Sequence, residues 1–77
     1  MAWVEAIEKK TGDGRLQPTH VVAHAKVFHT ADGRPVLQID TLGSAARRNP
    51  GKQSQTLQFG KESAAQLFAI LQQTFNL

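Results

Sequence analysis

The sequence predicts an α+β domain of four antiparallel strands and one C-terminal helix. Three observations predict it: apolar and polar residues alternate with a period of two over residues 19–29 and 36–42, an Asp-Gly pair separates those runs, and the period becomes helical from Lys61. Seventy-seven residues make one domain. Residues 1–18 read as an N-terminal strand or arm plus a loop, and residues 19–77 as a β-hairpin, a basic loop, a strand and the helix.

Residues 3–8 are short and apolar-rich, and the glycine-punctuated polar stretch 9–15 ends whatever element they form. In the next run Val21, Ala23, Ala25 and Val27 alternate against His20, Val22, His24, Lys26 and Phe28, the pattern of a strand with one buried face. Asp32-Gly33 then favours chain reversal, because glycine accepts positive φ without a steric penalty. In the partner strand Leu37, Ile39 and Thr41 alternate against Val36, Gln38 and Asp40, with Pro35 at its edge, where a missing N–H is tolerated. Residues 55–59 form a last short strand with Leu57 and Phe59 directed inward.

Gly60 is an acceptable N-cap for the helix, and Glu62 suits the positive end of its dipole. Ala64, Leu67, Phe68, Leu71 and Phe75 fall at spacings of three and four and form an apolar stripe. With Ile70 beside it, that surface is wider than one small sheet face needs. Either Ile70 widens the buried face or part of the helix meets a second subunit, in which case Leu67, Ile70, Leu71 and Thr74 form the dimer interface. The chain has no cysteine, which excludes disulfides, thiolate metal sites and cysteine nucleophiles. Oligomerisation is then the remaining way to stabilise so small a core.

Nine Lys/Arg against six Asp/Glu give a net charge of +3. The excess is local: from Arg34 to Lys61 there are five cations and only Asp40 opposes them. The loop Gly43-Ser44-Ala45-Ala46-Arg47-Arg48-Asn49-Pro50-Gly51-Lys52 offers phosphate oxygens both charge and free backbone N–H groups. Gln53 and Ser54 follow with groups that donate to phosphate or to base edges. His24, Lys26 and Phe28 share the outward face of their strand, a mixture of cation and aromatic ring suited to an unpaired nucleic-acid strand. The alternative is that Phe28 and Val22 pack beneath a loop or the N-terminal segment.

Other chemistries find little support. His20 and His24 stand about 13 Å apart on a strand, too far to share one ion, so no metal or other cofactor is expected. The acids are scattered without pairing and the serines lack an activating context, so catalysis is not expected. No apolar run approaches a membrane span, and the acidic start is unlike a signal peptide, which implies a cytoplasmic protein.

Gly33-Arg34-Pro35-Val36-Leu37-Gln38-Ile39-Asp40, the later Pro50-Gly51-Lys52, the strand Gln55-Thr56-Leu57-Gln58-Phe59 and the closing helix together resemble the C-terminal domain of the transcriptional positive cofactor four family. The likeness runs from Val21 onward. It implies a curved four-stranded sheet that dimerises through its helices and holds single-stranded DNA along the strand ridges, with Lys52 matching the loop cation and His24, Lys26 and Phe28 in ridge positions. The lead-in Gly43-Ser44-Ala45-Ala46 replaces an aromatic-rich segment of that family, and the first loop is longer. The expectation is therefore a homodimer that binds single-stranded DNA or RNA with little sequence preference, through His24, Lys26, Phe28, Arg47, Arg48, Lys52, Gln53 and Ser54, as an accessory in transcription or DNA processing. The alternative expectation is a protein-interaction subunit of a regulatory or defence complex.

Overall fold

Five elements follow in order in the computed structural model, which describes residues 1–43 and 53–77: β1 (Ala2–Val4), β2 (Ala23–His29), β3 (Pro35–Leu42), β4 (Gln53–Phe59) and α1 (Lys61–Phe75). The strands form one sheet in the order β1-β4-β3-β2. β2 with β3 and β3 with β4 pair antiparallel, but β1 pairs parallel with β4, so the sheet is mixed and the expected fully antiparallel arrangement is corrected. The cause is the long connection over residues 5–22. Parallel alignment needs a crossover of a dozen or more residues, and this connection is long enough to carry the chain from β1 back to the start of β2. β2 starts at Ala23 rather than near residue 19, although the Leu42 N–H still donates to the Val22 carbonyl at 3.2 Å, beside a register shift at Thr41/Leu42.

The β2–β3 turn closes as the Asp-Gly pair predicts. The Gly33 N–H donates to the Thr30 carbonyl at 2.9 Å, and Gly33 takes a φ of +87°. Three residues between Thr30 and Arg34, the last with positive φ, match a turn followed by a glycine bulge. Asp32 organises the outside of the turn: it accepts from the Thr30 hydroxyl and pairs with Arg34 Nε at 3.0 Å. These two hydrogen bonds, with the Thr30 bond the stronger influence, hold the Asp32 carboxyl below its usual pKa.

α1 starts directly after β4. Gly60 is the N-cap without a side-chain cap bond, and its carbonyl accepts the first helical bond from Ala64 N–H at 2.9 Å. Glu62 occupies the first turn, and Asn76 ends the helix in the left-handed conformation, φ 58° and ψ 42°. Gly60 is required by close approach: a Cβ there would meet Cζ2 and Cη2 of Trp3 at 2.9 Å.

Register divides the sheet into two chemically different faces, because residues paired across strands point the same way. One face carries Ala25, Val27, Leu37, Ile39, Leu57, Phe59, Ala2 and Val4, and is apolar. The other carries His24, Lys26, Phe28, Val36, Gln38, Asp40, Thr56, Gln58 and Trp3. The apolar face is poorly covered. Phe59 is buried at 6 % exposure, but Leu37 and Ile39 are half-buried, Leu57 is exposed rather than inward, and Val27 is 67 % exposed. Val36 on the polar face is the other buried apolar side chain among the described residues.

Candidate nucleic-acid interface

The polar face is built as rows running across the strands. One row passes from β2 to β1 through Lys26, Gln38, Gln58 and Trp3. The next runs through His24, Asp40 and Thr56, and a third, nearer the hairpin turn, pairs Phe28 with Val36. A cation, two amides and an indole thus stand side by side at the inter-strand spacing of about 4.8 Å, with a second ring and an imidazole in the flanking rows. Phe28 is 39 % exposed and Trp3 46 %, so both rings offer surface to a ligand.

Asp40 anchors this face. Sequence alternation directs it outward, yet it is only 6 % exposed and sits between Gln38 and Thr56, which are buried as well. Oδ1 accepts from Thr56 Oγ1 at 2.7 Å and from Gln38 Nε2 at 3.0 Å; Oδ2 lies 3.2 Å from Gln38 Nε2 and 4.0 Å from Lys26 Nζ. The Thr56 hydroxyl, then the Gln38 amide and the nearby Lys26 and His24, hold its pKa below the usual carboxylate value against the opposing effect of burial. Gln38 in turn accepts from Gln58 Nε2 at 2.9 Å. The result is a continuous chain of hydrogen bonds across β4 and β3.

The structure brings three of the expected ligand-binding residues, His24, Lys26 and Phe28, onto one exposed strand face. Gln53 and Ser54 open β4, two residues earlier than the strand was expected to start. Arg47, Arg48 and Lys52 lie outside the described residues. Residue-by-residue reading missed Trp3, Gln38 and Gln58. Alternation placed Gln38 with Asp40 and so held part of the signal, but nothing local links Trp3 to Gln58.

On α1, Leu67, Ile70 and Leu71 are half-buried and Thr74 is exposed, while Phe68 and Phe75 of the expected stripe lie open. Ile70 therefore belongs to the covered side. A cleft of about 420 Å³ lies between the helix start, the end of β1 and the start of β3. Its cations Arg34 and Lys61 are matched by Glu5 and Glu62, leaving no net charge to draw phosphate. No helix among the described residues is long and apolar enough to cross a membrane.

Compared with known proteins, the chain matches no family model, no curated protein and no solved structure.

Proposed function

We propose that the protein is a homodimeric, single-stranded nucleic-acid-binding accessory that recognises its ligand on the polar sheet face with little sequence preference. The observation that carries this reading is the Lys26–Gln38–Gln58–Trp3 row with Phe28 and His24 beside it. Rings on both edge strands of the polar face, Phe28 on β2 and Trp3 on β1, suit unstacked bases, which gain about 1–3 kcal/mol each by stacking on an aromatic side chain. Lys26 and, from the basic loop, Arg47, Arg48 and Lys52 supply charge for the phosphates. Gln53 and Ser54 supply further donors. The resemblance to the positive cofactor four family agrees with this use of a strand face. The proposed role is binding rather than catalysis.

Dimerisation is supported by the poor cover of the opposite face. The chain exposes 6703 Å², against about 4,600 Å² for a compact monomer of 8.4 kDa. Its radius of gyration is 14.6 Å, against about 11–12 Å for that length. A second copy covering the apolar sheet face and α1 would leave open the two edges of the polar face, Trp3 on β1 and His24, Lys26 and Phe28 on β2, on either side of a middle (Val36, Gln38, Asp40 and Thr56) that the chain itself buries.

Trp3 is the sole tryptophan, which makes the test direct. Single-stranded oligonucleotides should quench its fluorescence more strongly than duplexes do, and the affinity should fall steeply between low and moderate salt. Unchanged emission across both ligands, or binding indifferent to salt, would remove this reading. The exposed edge strand β2 and the open Phe68 and Phe75 are what favour the second reading, a protein-interaction subunit. A stoichiometric protein partner in a pull-down, with no oligonucleotide binding, would establish it.

A further inference from the structure

Four polar side chains on the sheet form a hydrogen-bonded relay with a defined direction. An ionised carboxylate only accepts, so Asp40 obliges Gln38 to turn its NH2 towards it, as the 3.0 and 3.2 Å contacts show. The Gln38 carbonyl oxygen then faces β4 and accepts from the Gln58 NH2 at 2.9 Å. Asp40 Oδ1 also accepts from the Thr56 hydroxyl at 2.7 Å. The direction of every amide is thereby set from one end. At the other end, Gln58 Oε1 has no partner among the described residues, and the cross-strand neighbour of Gln58 is Trp3.

We propose that this relay presents the Gln58 carbonyl oxygen as a hydrogen-bond acceptor beside the Trp3 ring, so that the face favours bases carrying an exocyclic amine over thymine or uracil. The inference rests on the nucleic-acid reading above and adds a base preference to an otherwise unspecific binder. A base stacked on Trp3 turns its edge along the row towards Gln58. Cytosine and adenine offer an NH2 donor there. Thymine offers a single N–H between two carbonyl oxygens, which oppose the Gln58 oxygen. Asp40 is a positioning residue in this scheme, because it acts through Gln38 and Gln58 and need not touch the base.

The test compares short oligo(dC) with oligo(dT), two pyrimidines of similar ring size, by quenching of Trp3 at neutral pH. One hydrogen bond to a base edge should give oligo(dC) an advantage of about fivefold. In Gln58→Met, which keeps the side-chain length but loses the acceptor, the oligo(dC) to oligo(dT) ratio should fall to about one, whatever the change in overall affinity. In Asp40→Asn the amide at position 40 can both donate and accept, the relay loses its direction, and the ratio should fall in the same way. A merely structural Asp40 would lower both affinities together and leave their ratio intact. Equal binding of both oligonucleotides by the unmodified protein, or a ratio that survives Gln58→Met, overturns the inference alone. Absence of binding to either overturns the nucleic-acid reading and the inference with it.

Discussion

Asp40 shows how a single residue's surroundings decide its role. Its carboxyl titrates below the usual value, so its contribution to stability is fully present above the unfolded-state pKa, near 3.8, and is lost as pH falls through the lower folded-state value. Acid titration of the melting temperature should therefore show a decline below about pH 4 that Asp40→Asn flattens. Identical acid profiles for the two proteins would count against the buried network. Lys26 and His24 face the same carboxyl, and protonating it frees Lys26 from its only near acid on that face. Of the ring residues, Trp3→Ala and Phe28→Ala should each weaken oligonucleotide binding by about 1–3 kcal/mol. Lys26→Ala should instead reduce the salt slope of binding by about one. Phe28 and Lys26 were readable from alternation alone, since neighbours two apart on one strand must share a face. Trp3 was not, because its face is set by a partner strand more than fifty positions away.

At the scale of elements, the hairpin and the β4–α1 junction carry the local instructions. Gly33 sits at a φ of +87°, where an L side chain is strained, so Gly33→Ala should lower stability by about 1 kcal/mol in urea denaturation. An unchanged unfolding midpoint would mean that the turn relaxes into another form. Gly60→Ala tests the junction. Its methyl group would meet the Trp3 ring at 2.9 Å, so the ring must shift. The expected outcome is a displaced tryptophan emission maximum and weaker oligonucleotide binding, with both absent if Trp3 is not seated against Gly60. The Asp-Gly turn was predictable because its requirement is confined to two consecutive residues. The contact between Gly60 and Trp3 was not, since a glycine before a helix is equally an ordinary N-cap.

For the whole molecule, the amount of surface left open is the dominant fact. An excess of about 2,000 Å² over a compact chain exceeds the roughly 800 Å² that each partner contributes to a standard interface. The extended residues 5–22, the apolar sheet face and the outer side of α1 all contribute to it. Sedimentation equilibrium should give twice the 8.4 kDa chain mass, with a melting temperature that rises with concentration. Leu71→Glu, on the half-buried stripe of α1, should shift the protein to monomer and lower its stability. A monomer at every concentration would leave the open face to a different protein. Most of the order of elements was readable from periodicity, including the helix start at Lys61 and the β2–β3 pairing.

What is local could be read directly from the order of residues: the alternating runs of β2 and β3, the glycine-dependent reversal between them, the amphipathic helix and the absence of cysteine chemistry. Each depends on residues a few positions apart, whose spacing is imposed by backbone geometry. Long-range pairing set the rest: β1 joins β4 in parallel, Trp3 therefore stands beside Gln58, and Asp40 becomes the buried anchor of an amide chain. Those outcomes depend on pairing between distant strands, which selects one register among many that local pattern allows.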